Sequence, residues 1–184
     1  MAGGLDRHQS ASAPGRDPVP RSSPPAQDSL VDLRCSVVVF RGEQILVLRR
    51  EGPGDWVLPG GRPREGESMV SCARREALEE TGLDIQPRRC LFVLEVTDPA
   101  RARRIVELVF LGVESRPEAM PEEREPGRRP EFVALRALRN GRMHPPLAGH
   151  LASVQDVRDT SGEASRGAAY LGNLWRPEHW AEGP

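Results

Sequence analysis

Apolar residues along this chain form several short, dense runs and one stripe with helical spacing. Residues 34–40 (RCSVVVF) and 44–48 (QILVL) are rich in β-branched side chains and are separated by a three-residue turn, so they predict a β-hairpin. Further strands are predicted for three other apolar runs, at residues 91–96, 105–113 and 132–135.

The helical stripe consists of Val70, Ala73 and Ala77, which lie on one face of a helix because they are spaced by three and four residues. Ser68 precedes the stripe as a suitable N-cap, and Gly82 follows it as a suitable C′ residue. The pattern therefore predicts a helix that begins at the serine and ends one residue before the glycine.

The polar segments divide the chain of 184 residues into three parts. Residues 1–30 are rich in proline, serine and glycine and predict a disordered arm, because they offer too little apolar surface to offset the entropy of ordering. Residues 31–158 predict one folded domain, with a Glu-, Arg- and Pro-rich mobile loop at 114–130 and a second helix at 147–157. Residues 159–184 predict a tail that packs on the domain or extends from it. Strands before and after a helix indicate an α/β fold with a mixed β-sheet flanked by helices.

Charge and cysteine usage narrow the classes of function. The net charge of −1 provides no basic field for nucleic acid, and no apolar run approaches the roughly 20 residues that span a bilayer. Cys35, Cys72 and Cys90 are odd in number and form no C-x-x-C pair, which argues against a disulfide framework and a zinc site. The first 30 residues lack the apolar core of a signal peptide, so a cytoplasmic location is expected. The oligomeric state stays open.

Three glutamates at the end of the predicted helix are the strongest candidates for chemistry. Glu76, Glu79 and Glu80 lie near one helix face, where they repel one another and oppose the helix dipole. Such a cluster is either fully hydrated or paired with cations, and oxygen-only ligands suit Mg²⁺ or Mn²⁺. Upstream, Gly60 and Gly61 allow the backbone to approach a ligand closely. For the glutamates alone, a solvated acidic face is the simpler interpretation.

The whole segment from Gly61 to Leu83 favours a metal site over a solvated acidic face. It resembles the Nudix box, G-x5-E-x7-R-E-U-x-E-E-x-G-U, in which U is a bulky apolar residue. Seven fixed positions of the box are matched, at Gly61, Glu67, Arg75, Glu76, Glu79, Glu80 and Gly82. One position departs mildly, because Ala77 stands where the family usually has a larger apolar residue.

The resemblance implies a Nudix α/β/α sandwich and a divalent metal site. The expected metal ligands are Glu76, Glu79, Glu80 and the carbonyl of Gly60, with Mg²⁺ as the expected ion and Mn²⁺ as an alternative. Catalytic roles are expected for Glu76, Glu80, Glu67 and Arg75, the last two in support of the first two.

The general base and the substrate contacts are less constrained by the box. Within it, Glu76 and Glu80 are candidate bases. Family members also take the base from a late loop, whose candidates here are Glu122, Glu123, Glu125 and Glu131. Arg62 and Glu125 are the candidates for contact with substrate.

The function implied by the resemblance is hydrolysis of a diphosphate linkage by attack of water on phosphorus. The expected partner is a small nucleotide, either a nucleoside triphosphate or an ADP-ribose-like nucleoside diphosphate. A non-catalytic Nudix module that binds a nucleotide as a sensor or regulator is the alternative, and the intact box favours the enzyme.

Overall fold

The computed structural model describes residues 31–50, 56–98, 103–140, 143–161 and 167–175. The predicted arm, residues 1–30, and the end of the predicted tail lie outside these ranges. No helix among the described residues is long and apolar enough to cross a bilayer.

Ten strands and three helices make up the described fold. The strands are β1 (Val31–Val38), β2 (Phe40–Arg41), β3 (Gln44–Arg50), β4 (Trp56–Val57), β5 (Gly60–Gly61), β6 (Ile85–Asp98), β7 (Arg103–Glu114), β8 (Arg128–Ala134), β9 (Met143–His144) and β10 (Ala169–Asn173). The helices are α1 (Met69–Thr81), α2 (Leu135–Asn140) and α3 (Ala148–Ser161).

The strands form two mixed sheets. The first has the order β10-β6-β7-β1-β5, in which β1 pairs parallel with β7 and antiparallel with β5. The second has the order β2-β3-β4-β9, and β8 joins it by pairing antiparallel with β3 along its full length. The predicted α/β class with a mixed sheet and flanking helices is confirmed.

The apolar side chains at the end of β1 pack on both faces of the first sheet, because successive side chains of a strand point to opposite faces. Val38 belongs to the larger apolar cluster, which joins the two sheets and includes Leu147 and Leu151 around α3. Val37 and Val39 belong to a second cluster beneath α1. The first sheet is therefore covered on both faces.

Helix α1 begins and ends where the sequence predicts. The side chain of Ser68 accepts a hydrogen bond from the backbone N–H of Ser71 at 3.1 Å, which satisfies one of the free donors of the first turn. Gly82 has a φ of 73° and donates to the carbonyl of Leu78, a left-handed conformation that glycine adopts without steric cost. Ala77 is fully buried in the cluster beneath the helix.

Several elements differ from the sequence-based prediction. Strand β8 was predicted to begin at residue 132 and begins at Arg128, because its charged first half pairs with β3. Strand β6 begins six residues before the predicted 91, with register shifts that interrupt its apolar pattern. The short elements α2, β5 and β9 were not predicted, nor was β10, which lies in the predicted tail and pairs with β6.

Candidate functional site

The glycine pair of β5 meets the end of α1 at very short range. Gly60 donates its N–H to Oε2 of Glu80 at 2.8 Å. A Cβ atom on Gly61 would overlap the carboxylate of Glu76, and one on Gly60 would overlap the backbone of Cys35 and Ser36. Only glycine therefore allows the helix carboxylates to lie this close to the strand.

Arg75 ties together three of the predicted site glutamates. Its Nε and Nη2 atoms each donate to Glu67 at 2.8 Å, one to each carboxylate oxygen, while Nη1 donates to Glu76 at 2.6 Å and to Glu79 at 2.9 Å. These hydrogen bonds raise the pKa of Arg75, with that of Glu67 contributing most. They also lower the pKa of Glu67 to about 2, with further help from the backbone N–H of Arg64.

Glu80 has a different environment from the other glutamates of the box. It is only 3% exposed, and burial raises its pKa, opposed by the N–H of Gly60 and by the positive charges of Arg34 and Arg128. Nη1 of Arg128 donates to Oε1 of Glu80 at 2.6 Å. A buried carboxylate is stable only when such partners replace water.

Arg128 is a site residue that the sequence-based candidates did not include. It is the first residue of β8 and lies opposite Arg50 of β3, so the strand pairing places its side chain at the end of α1. Nothing in the local sequence distinguishes it from the other arginines of this segment. Glu125, predicted to contact substrate, lies 3.3 Å from the same Nη1 atom.

The remaining candidates of the loop have other partners. The predicted loop is irregular over residues 115–127, whereas Glu131 lies in β8. The backbone N–H of Glu122 donates to the carbonyl of Thr81 at the end of α1. Side-chain contacts join Glu122 to Arg124, Glu123 to the N–H of Gly127 and Glu131 to Nε1 of Trp56. Among these four glutamates, Glu125 is linked to Glu80 through Arg128.

Arg62, the other predicted substrate contact, interacts with Arg75 through its backbone carbonyl. Its guanidinium donates to Asp32 at 3.2 Å and is more than half exposed, whereas its carbonyl oxygen accepts from Nη2 of Arg75 at 3.1 Å. Arg64 also contacts the glutamates of the box. Its guanidinium donates to the exposed Glu79 at 3.0 Å, and this residue was not among the predicted site residues.

The donor set suits a hard divalent cation. Glu76, Glu79 and Glu80 offer carboxylate oxygens, which Mg²⁺ and Mn²⁺ prefer, and the Glu76 carboxylate rests directly against the glycine backbone. Within the described ranges, no group of three or more acidic, histidine or cysteine side chains is arranged to hold a metal ion. Arg75 pairs with Glu76 and Glu79, whereas Arg128 pairs with Glu80.

Comparison with known proteins gives a match over most of the folded region. The family model of the NUDIX domain matches residues 32–154. The chain is 39% identical over 110 residues to the 8-oxo-dGDP phosphatase NUDT18 of Homo sapiens, an alignment that covers 56% of this chain and 32% of that protein. It is 42% identical over 57 residues to the putative ADP-ribose pyrophosphatase YjhB of Bacillus subtilis (strain 168), covering 31% of this chain and 27% of that protein.

A solved structure shows the same fold. The MutT protein of Methanosarcina mazei Go1 superimposes with a TM-score of 0.59 at 18% identity, covering 74% of this chain and 100% of that one. The matched region spans about a third or less of the length of these two curated relatives.

Proposed function

The chain belongs to the Nudix family, and from this premise we propose that it is a divalent-metal-dependent pyrophosphohydrolase that cleaves the diphosphate linkage of a nucleotide. The main support is the contact between the helix carboxylates and the glycine pair, in which Glu76 lies against Gly61 and Glu80 accepts the N–H of Gly60. Two of the predicted metal ligands are therefore in contact with the same pair of glycines.

In the proposed site, Glu76, Glu79, Glu80 and the Gly60 carbonyl hold the ion. Such an ion, when bound, neutralises charge on the phosphates and makes water a better nucleophile. Arg75 acts as a positioning residue, because its guanidinium group donates hydrogen bonds to both Glu67 and Glu76. Either Glu76 or Glu80 takes the proton of the attacking water.

Arg128 extends the proposed site toward the substrate. Its guanidinium lies beside Glu80, and its side chain is 34% exposed, so it has donors left for a phosphate oxygen. Arginine suits this role because its planar fork matches paired phosphate oxygens and because positive charge there opposes the charge that develops in the transition state. Glu125, on the same guanidinium, is then a positioning residue for Arg128.

The first substrate candidate is the diphosphate of an oxidised guanine deoxynucleoside, since the human relative is named as an 8-oxo-dGDP phosphatase. ADP-ribose is the second candidate, since the bacterial relative is named as a putative ADP-ribose pyrophosphatase. Both contain the diphosphate that the proposed chemistry needs, and they differ in the base, in the sugar and in the group beyond the diphosphate.

The sensor alternative predicts nucleotide binding without turnover. It is less well supported, because the box glutamates are all present and three of them, Glu67, Glu76 and Glu79, are hydrogen-bonded to Arg75, an arrangement that binding of a nucleotide alone does not require.

The test is a panel of 8-oxo-dGDP, dGDP, 8-oxo-dGTP and ADP-ribose with Mg²⁺, followed by separation of phosphate, pyrophosphate and nucleoside monophosphate. We expect turnover that disappears with EDTA and that falls by at least ~100-fold in Glu76→Gln. Glu65→Gln is the matched control, because Glu65 is an exposed glutamate of the same segment, and its rate should equal that of the parent. Turnover that survives exhaustive chelation contradicts the proposal, and binding with no turnover supports the sensor.

A further inference from the structure

A cavity of about 150 Å³ lies between the two sheets, next to the turn that carries the glycine pair. Its walls are mostly apolar and come from β4, β6, β7 and the segment after β10, through Val57, Leu58, Val96, Ile105 and Leu174. A cavity of this volume accommodates one six-membered aromatic ring, such as the six-membered part of a purine base. Apolar walls with a few polar groups are typical of pockets that bind small molecules.

Polar side chains also line the cavity, and they are those of Arg34, Arg50, His144 and Glu107. Glu107 of β7 is the acidic residue among the lining residues, and it is 2% exposed. Ser36 donates its hydroxyl to Oε1 of Glu107 at 2.5 Å, and Nε of Arg34 lies 3.6 Å from the same oxygen. Within the described part of the chain, no hydrogen-bond donor reaches Oε2. A carboxylate has about four acceptor sites, so Glu107 can accept further N–H donors from a ligand.

The cavity is connected to the helix carboxylates by direct contacts. Ser36, which holds Glu107, lies opposite Gly60 in the pairing of β1 with β5, and Gly60 donates to Glu80. Arg34 donates to the carbonyl of Leu58 at 3.3 Å, and its charge also acts on Glu80. A nucleotide with its diphosphate at Glu80 therefore has this cavity within reach of its base.

We propose that Glu107 is a specificity-determining residue that selects a guanine-type base, an inference that rests on the proposed function. The six-membered ring of guanine carries two adjacent N–H donors, at N1 and N2, which a carboxylate accepts together. Adenine has a bare acceptor at N1, which a carboxylate opposes. A buried polar group left without its partner discriminates strongly against the wrong ligand.

The experiment measures the affinities of GMP, IMP and AMP by calorimetry, and kcat and KM on GDP, IDP and ADP. IMP is informative because its base has the N1–H donor but lacks the 2-amino group. We expect the parent to bind GMP more tightly than IMP, and IMP more tightly than AMP. Glu107→Gln should weaken GMP binding by at least ~10-fold, bring the GMP and AMP affinities close together, and raise KM for GDP more than it lowers kcat.

Two further variants keep the result interpretable. Glu95→Gln removes a carboxylate of the adjacent strand that accepts from the exposed Tyr170 and does not line the cavity, so it should keep the preference for GMP. Ile105→Phe fills the cavity and leaves Glu107 in place, so it should weaken binding of all three monophosphates. It also tests the cavity if Glu107→Gln does not fold.

A preference for GMP that persists in Glu107→Gln overturns the inference, as does an equal loss for all three bases. A parent protein that binds no monophosphate, or an Ile105→Phe variant that binds like the parent, overturns it as well. Binding of monophosphates needs no turnover. A Glu107-dependent preference for GMP in a protein that hydrolyses nothing would therefore refute the proposed function and leave the inference standing.

Discussion

Arg128 lies 48 residues after Glu80 in the sequence, and its Nη1 atom donates to Oε1 of that glutamate at 2.6 Å. The other carboxylate oxygen accepts the N–H of Gly60, so both oxygens of a buried glutamate have partners from distant segments. This pairing brings a phosphate-binding type of side chain next to a proposed metal ligand.

Arg128→Ala should destabilise the protein in the absence of added metal. It leaves the buried Glu80 without its charged partner, and loss of such a hydrogen bond costs about 1–3 kcal/mol of unfolding free energy. Urea denaturation with EDTA measures this. Arg129→Ala is the control, because Arg129 is exposed, and it should change the free energy by less than about 0.5 kcal/mol. Equal effects of the two variants would show that the pairing with Glu80 does not contribute.

The two glycines of β5 should respond differently to alanine. In Gly60→Ala the new Cβ meets backbone atoms of Cys35 and Ser36, which cannot move without distorting β1, so we expect a large loss of melting temperature. In Gly61→Ala the Cβ meets only the movable carboxylate of Glu76. That variant should keep most of its stability and lose most of its turnover. Thermal melts and rates on the same preparations separate the two effects, and a Gly61→Ala protein with normal turnover would contradict the role assigned to Glu76.

Without metal, Glu80→Gln should lose less stability than Arg128→Ala. Burial disfavours the charged carboxylate, and the amide oxygen can still accept the N–H of Gly60, while Arg128 loses its charged partner. With Mg²⁺ we expect turnover to fall by at least ~100-fold. Mg²⁺ should also raise the melting temperature of the parent more than that of the variant, because binding to the native state alone stabilises it. An equal rise in both proteins would contradict the ligand role.

Two of the three cysteines should be inert toward thiol reagents in the folded protein. Cys35 and Cys72 are fully buried, and burial raises the pKa of both thiols, that of Cys72 to about 12. At pH 8 a disulfide reagent should therefore react quickly with no thiol other than that of Cys90 in the folded protein. In urea the same reagent should modify all three thiols.

The raised pKa of Cys72 also makes the free energy of unfolding depend on pH. The pKa of Cys72 is higher in the folded protein than its value of about 8.5 in the unfolded chain. The contribution of this thiol to the free energy of unfolding is therefore fully present below about pH 8.5 and is lost as the pH rises toward 12. The unfolding free energy should fall less steeply above pH 9 in Cys72→Ala than in the parent.

Much of this site is local in sequence and could be predicted from it. The helix over the box has its caps and its apolar stripe within 15 residues, so Ser68, Gly82 and the face that carries Glu76, Glu79 and Glu80 follow from helix geometry alone. The glycine pair was identified for the same reason, since close backbone approach requires residues without a Cβ. Family membership followed from seven positions with fixed spacing.

Tertiary structure decided which charges meet. Arg128 reaches Glu80 because β8 pairs with β3, and the register of two distant strands is not encoded in any local pattern of this charged segment. The parallel pairing of β1 with β7 likewise places Arg34 opposite Glu107, and the pairing of β1 with β5 puts Ser36 beside Gly60. Local patterns in the sequence therefore specify the helix and its carboxylates, whereas their counter-ions and the inter-sheet cavity depend on contacts between segments far apart in the chain.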